Sequence, residues 1–260
     1  MTWALRRQIF YIAVLIAFFS ILGFLVVYPQ LDRTPKCTDG RQNGDERGVD
    51  CGGSCRNACM NEVEDLSVLW SRSFRVVPGR YNAVAYLTNH NKNAVVNKIN
   101  YRFRFADKDN IYIGKRGGST FIPRAGNFAV FEGGVGLGES VPVYTTFEFT
   151  EAPEWIQAGE EKINQLKVIV SDIVLENEMT NPRLSARVKN SSLFSIPDIT
   201  VVAILYDSFH NAVSISSTYL DKLSPEQQRD ISFTWPEPFS APVVAKEVIP
   251  MYNISRVEWK

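Results

Sequence analysis

Histidine is nearly missing from this chain. Only His90 and His210 occur, each in a turn-like context, "TNHNKN" and "DSFHNA", which leaves little material for a His-based nucleophile relay. No serine sits in a G-x-S-x-G elbow. Net charge is lacking as well. Lys plus Arg and Asp plus Glu both number 28, so no global field draws the protein toward nucleic acid, whose binding leans on many cationic contacts to phosphate. Cysteine is absent after residue 59 and no long apolar run follows residue 28, so whatever disulfides and helical membrane spans the chain has lie at its start.

The apolar run is "IFYIAVLIAFFSILGFLVVY", Ile9 to Tyr28, without one charge. A helix of that length crosses a hydrocarbon layer of about 30 Å, and the absence of water there obliges the backbone to be helical. It is longer than the roughly 7–15 residues of a signal-peptide core, and "VVYPQL" offers no small-x-small cleavage site. The reading is an uncleaved single-pass anchor, with residues 1–8 as a short cytoplasmic tail. Basic residues do not decide the orientation, because Arg6 and Arg7 precede the span while Arg33, Lys36 and Arg41 follow it. The cysteines do. Four of them, Cys37, Cys51, Cys55 and Cys59, packed into one short stretch, is how a chain uses disulfides on the oxidising side of a membrane. The bulk of the chain is therefore expected outside the cytoplasm, anchored in the cell membrane.

Residues 29–62 read as a Cys-rich stalk loop. The C-x13-C-x3-C-x3-C spacing is not that of a zinc ribbon. A segment with hardly any large apolar side chain cannot offset its ordering entropy by burial, and two bridges would supply roughly 2–4 kcal/mol each. Four cysteines allow three pairings, and the spacing does not choose among them. Asp39, Asn43, Asp45, Glu46 and Asp50 supply oxygens on a loop whose glycines permit tight turns, which makes them a candidate Ca2+ site. The EF-hand order is absent, and a solvated turn-rich loop accounts for the same residues. No other cofactor is expected.

"CTDGRQNGDERGVDCGGSCRNAC", residues 37 to 59, resembles a disulfide loop of C-x-D-G-x-x-N-G-D-E-x-G-V-D-C-G-G-x-C type found in bacterial secreted and surface-exposed proteins beside β-sandwich domains. Its last interval, "CRNAC", is one residue longer than the commonest form. The resemblance implies a location and neighbouring domains, not an activity.

Beyond Cys59 the pattern alternates with period two. "INYRFRFA" sets Ile99, Tyr101, Phe103 and Phe105 on one face and Asn100, Arg102 and Arg104 on the other, as in a half-buried antiparallel strand. Two sets of six or seven short strands, separated by turn signals and joined through "EAPEWIQAGEEK", predict two immunoglobulin-like β-sandwiches, residues 63–155 and 163–260. The two sets share an order: a strand ending in Asn, a gap, a long strand ending in Asp, a turn, a strand, a proline turn, a strand. That order suggests an internal duplication. The run Ala203-Ile204-Leu205-Tyr206-Asp207 is similar to the FxLYD-type immunoglobulin-like domain, with Ala203 where Phe is usual. The resemblance covers roughly residues 168–254 and implies a small extracytoplasmic sandwich without catalytic residues.

Other patterns carry less. "GGVGLG" at Gly133 to Gly138 precedes a strand rather than the helix that would hold an anion, and reads as a hairpin. Arg102, Arg104, Lys108, Lys115 and Arg116 gather on adjacent strands, diluted by Asp107 and Asp109. Glu176 and Glu178 lie two apart and read as a solvated edge. Asn190-Ser191-Ser192 and Asn253-Ile254-Ser255 match the N-glycosylation acceptor pattern. The chain is thus read as a non-enzymatic, membrane-anchored scaffold that presents two mainly-β sandwiches to a protein partner in the envelope or outside it, with no nucleic-acid or small-molecule substrate. The alternative is an accessory or sensor subunit of a secretion- or pilus-type envelope assembly, with Ala13 and Ala17 as a small-xxx-small pairing match in the helix.

Overall fold

A computed structural model describes residues 3–31 and 36–259. Arg33, part of the charge balance at the end of the span, and the tail residues Met1 and Thr2 lie outside the described residues. Residues 1–59 form one compact unit and residues 60–260 another.

The first unit opens with α1 (Trp3–Leu31). Within it Arg6–Tyr28 is exposed along its whole length and rises about 34 Å at 1.5 Å per residue. The apolar side chains lie all round the helix, so no polar face is left for water, in contrast to the stripe that a surface helix of a soluble domain presents.

The second unit is built of strands: β1 (Ser67–Val77), β2 (Arg80–Asn89), β3 (Ala94–Ala106), β4 (Tyr112–Ile122), β5 (Gly126–Gly136), β6 (Tyr144–Phe149) and the two-residue β7 (Ile156–Gln157). A short helix, α2 (Glu160–Gln165), occupies the polar junction. After it come β8 (Val168–Glu176), β9 (Arg183–Asn190), β10 (Ile196–Tyr206), β11 (Ala212–Leu223), β12 (Gln228–Thr234) and β13 (Ala245–Met251). All pairings among them are antiparallel. The first set makes sheets ordered β1-β2-β5 and β4-β3-β6, with β7 added to β3. The second makes β8-β9-β12 and β11-β10-β13. Position for position, the order of the second pair repeats the order of the first.

The repeat extends to individual side chains. Asn89 ends β2 and Asn190 ends β9, both almost fully buried. The Asn89 amide donates to the carbonyls of Ala94 and Pro123, and that of Asn190 to those of Phe194, Leu223 and Ser224. Each ties the start of the long strand to the turn at the far end of the next strand. Asp107 and Asp207 then close the turns after β3 and β10. The Asp107 Oδ1 accepts from the backbone N–H groups of Asp109 and Ile111, and the Asp207 Oδ1 from those of Phe209 and Asn211. Asn110 and His210 take left-handed backbone at φ 60° and 61°, a conformation for which Asn and His are among the better non-glycine residues. His210 is thereby a turn residue.

Both central strands, β2 and β10, are buried on two faces, and alternation shows why. In β2, Ala83, Ala85 and Leu87 face the core of their own sandwich. The opposite side chains, Val84 and Tyr86, are also buried. In β10, Val201, Ala203 and Leu205 join their own core, while Val202 and Ile204 on the other face are fully buried too. Sheet β1-β2-β5 therefore packs against sheet β11-β10-β13, sealed by Ala129, Ile215 and Met251. Burying Val84, Val202, Ile204 and Ile215 contributes roughly 1.5–3 kcal/mol each, which makes the pair of sandwiches one body.

This contact is heterologous: a β1-type sheet meets a β10-type sheet, and the same operation could continue without end. The outer faces stop it. On β4-β3-β6, Arg102 and Arg104 share Glu148 at 2.6 and 2.8 Å. On β8-β9-β12, Arg187 bridges Asp172 and Asp230 at 2.7 and 2.8 Å. Polar, charged faces take the place of the aliphatic ones.

One reading is corrected by the strand pattern. The run Gly133 to Gly136 belongs to β5, where Val135 and Gly136 pair with Tyr81 and Arg80 of β2 and Gly133 and Gly134 fill the register shift before Glu132, so it is not a hairpin loop. The strand that follows, β6, lies in the opposite sheet, and the chain must cross between layers there.

Candidate functional site

The cysteines pair as Cys37–Cys55 and Cys51–Cys59, with Cα separations of 5.5 and 5.0 Å. The two bridges interleave, since Cys51 lies inside the loop closed by the first and Cys59 outside it. With sequence separations of 18 and 8, loss of unfolded-state freedom stabilises the segment by about 3 and about 2.5 kcal/mol respectively in the chain-entropy picture. Glycine is required where the chain turns against itself. Gly53 has φ +58°, and a Cβ there would stand 2.0 Å from the Asp45 carbonyl oxygen. A Cβ on Gly48 would stand 2.8 Å from the Cys51 sulfur.

The candidate Ca2+ ligands work within the loop. The Asp50 carboxylate accepts from the backbone N–H groups of Asp39 and Gly40. Asp39 accepts from the N–H of Arg41 and from the Asn43 amide, while the Asn43 Oδ1 accepts from the N–H of Lys36 at 3.0 Å. Asp45 accepts from the Ser54 hydroxyl at 2.7 Å. Glu46, 6% exposed, accepts from the N–H of Asn43 and lies 3.3 Å from the Cys55 sulfur. Among the described residues the one group of three Cys, His, Asp or Glu donor atoms within 4.8 Å is Cys37, Glu46 and Cys55, whose sulfurs are joined to each other. No three of Asp39, Asp45, Glu46 and Asp50 converge in this way. Asp39, Glu46 and Asp50 hold backbone N–H groups that so small a segment cannot pair in a sheet, and Asp45 holds the Ser54 hydroxyl.

The arginines of the cationic strand face are paired with carboxylates. Besides the Glu148 pairs, Arg116 meets Glu132 at 3.1 Å, and the neighbouring arginines hold the Glu148 carboxyl below the usual carboxylate range. His90 Nε2 lies 2.9 Å from the Ser67 hydroxyl on the surface. Glu176 ends β8, and the Glu178 carboxylate accepts from the backbone N–H of Val243 at 3.5 Å. Neither glycosylation-type asparagine offers its amide. Asn190 uses it on three buried carbonyls, and Asn253 donates to the Asn97 carbonyl at 3.0 Å.

The polar group that sequence reasoning missed is Glu247 on β13. It sits opposite Ile204 in register, on the face turned to the first sandwich, and accepts from the Tyr86 hydroxyl at 2.7 Å and the Tyr206 hydroxyl at 2.8 Å. Burial first, and then the bond to Glu247, push both phenols above their ordinary range. Trp70 packs on the Tyr86 ring with centroids 5.3 Å apart. The signal in "VAKEVIPM" is a carboxylate on a strand with aliphatic residues on both faces, which a strand at a solvated edge does not need.

The chain matches no protein-family model and no curated protein. Among solved structures it is similar to red sea bream transglutaminase at 8% identity and a TM-score of 0.21, over 72% of this chain and 31% of that one. The chain thus spans about a third of that protein's length.

Proposed function

We propose that this protein is a single-pass membrane protein of the cell envelope, a non-catalytic scaffold whose fused pair of β-sandwiches meets protein partners on the extracytoplasmic side. The observation that carries the reading is the juxtaposition of two segments: Arg6–Tyr28, apolar and wholly exposed, and the doubly bridged loop that starts at Cys37. An apolar helix of this length finds its natural solvent in lipid, and paired bridges persist where the environment is oxidising. The C-x-D-G-type loop and the FxLYD-like run support the same placement. The exposed turns at the ends of the long strands, such as Phe209 at 84% exposure, are the kind of loop tips through which sandwich domains bind.

The test is fractionation followed by cross-linking. The intact chain is expected to stay with carbonate-washed membranes, and a variant lacking residues 9–28 to be released. An impermeant amine-reactive cross-linker should then join residues 60–260 to envelope proteins in intact cells. Release of the intact chain by carbonate would overturn the anchor. Adducts formed only through photo-reactive residues at Ala13 or Ala17 would favour the accessory-subunit reading.

A further inference from the structure

Where α2 meets the joint between the two sandwiches, the packing leaves a pocket of about 210 Å³. Its walls are apolar: Ile122 and Phe128 from the first sandwich, Ile163 and Leu166 from and just after α2, and Met251 and Ile254 from the end of the second. Drug-sized ligands occupy about 300–1,000 Å³, whereas benzene fills an apolar cavity of about 150 Å³. The space therefore suits one ring, or a chain of similar bulk, with a short arm to spare.

Two polar groups define what that arm should carry. Arg124 lies in the turn between β4 and β5, where the Pro123 carbonyl is held by the Asn89 amide at 2.7 Å and Gly126 takes φ +129°, a backbone conformation that glycine alone adopts freely. The turn is thus fixed in place beneath the cation. Arg124 is exposed at the rim and forms no ion pair among the described residues. In the second sandwich the corresponding turn carries Glu226, which is neutralised by Lys189 at 2.7 Å. The Tyr252 hydroxyl also has no hydrogen-bond partner among the described residues. Burial raises its phenol above the ordinary range while the charge of Arg124 acts against the rise, so the two groups share one electrostatic neighbourhood and the phenol keeps its proton at neutral pH. Among the described residues that line the pocket there is no aspartate or glutamate. A guanidinium only donates, and its planar fork matches a carboxylate. A protonated phenol beside it offers one donor more. We propose that the pocket binds a small apolar carboxylate, its ring or short alkyl chain seated against Phe128, Leu166 and Ile254 and its carboxylate held by Arg124 and the Tyr252 hydroxyl. No sequence motif announces the site, because its residues come from three segments far apart in the chain. The inference rests on the sandwich pair alone and is independent of the membrane placement.

The experiment uses the full chain in detergent and two probes, 3-phenylpropionate and 3-phenylpropanol, which share the ring and the chain and differ in the carboxylate. Calorimetric titration, with the heat of titrating protein-free micelles subtracted, should show the acid binding saturably and the alcohol at least about tenfold more weakly. Arg124→Ala, a change at an exposed side chain, should bring the acid down to the level of the alcohol. Tyr252→Phe, which removes only the hydroxyl, should weaken the acid about fivefold and leave the alcohol closer to its parent affinity. Both variants should unfold at the parent's denaturant midpoint. Absence of saturable binding of the acid, equal affinity for the two probes, or binding of the acid unchanged by either substitution would each overturn the proposal.

Discussion

Replacing Glu247 by alanine probes the joint between the sandwiches. The carboxylate accepts two phenolic hydrogen bonds, at 2.7 and 2.8 Å, one from each sandwich. A hydrogen bond to a charged group contributes about 1.5–3 kcal/mol. The half-buried setting of Glu247 argues for the lower end, so the pair contributes about 3 kcal/mol. Alanine also leaves the Tyr86 phenol, 7% exposed, without its acceptor, which adds up to about 1 kcal/mol. The expected loss is thus about 3–4 kcal/mol for Glu247→Ala and about 1–2 kcal/mol for Glu247→Gln, which keeps an acceptor but not the charge. Urea unfolding followed by tryptophan fluorescence is a suitable assay, because Trp70 sits against the Tyr86 ring at the joint and Trp235 in the core of the second sandwich. Loss of the joint should move the Trp70 signal to lower urea ahead of the Trp235 signal, which single-tryptophan variants would resolve. If Glu247→Ala unfolds with the parent, or costs as much in a Tyr86→Phe/Tyr206→Phe background as in the parent, the carboxylate does not join the sandwiches and the reasoning fails.

Alkaline titration offers a second check. The phenols of Tyr86 and Tyr206 keep their protons to higher pH in the fold than in the unfolded chain, so their contribution is intact below about pH 10 and is lost progressively as pH rises above it. Tyr86→Phe/Tyr206→Phe should flatten that fall, and an unchanged slope above pH 10 would contradict the bonds. Non-reducing peptide mapping should give fragments linked 37–55 and 51–59, whereas a 37–51 or 55–59 fragment would refute the interleaved pairing. Asn190→Ala removes a buried amide that serves three carbonyls and should cost about 3 kcal/mol or more, Asn89→Ala about 2 kcal/mol. A mild effect at both would show that these asparagines do not anchor the repeat. Expressed in a host that glycosylates secreted proteins, the folded chain should carry no glycan at Asn190, and a mass increment on that residue would contradict its burial.

The strands were legible because their chemistry is local. In β3 the alternation of Ile99, Tyr101, Phe103 and Phe105 with polar partners is the burial pattern itself. The duplication was legible as well, since the Asn and Asp that punctuate both halves make the same hydrogen bonds in each. What stayed hidden depends on distant contacts. Val84 and Val202 look like ordinary sandwich residues until the two sheets are stacked, and Glu247 looks like a surface carboxylate until Tyr86, 161 residues away, is brought beside it. The cysteine pairing was open for a related reason: Cys51 and Cys55 are close enough in sequence that either could reach Cys37, and the backbone turns at Gly52 and Gly53 decide which does. The glycine run misled because glycine marks a turn in most strand contexts, while in β5 it lines a strand beside Arg80.

Sidedness tests the account most directly. In intact cells or right-side-out spheroplasts, an impermeant reductant followed by an impermeant maleimide should label Cys37, Cys51, Cys55 and Cys59, with no labelling when the reductant is omitted, and external protease should remove residues beyond the helix. Thiols that are already free and that label only after the membrane is permeabilised would place the sandwiches on the reducing side and contradict it.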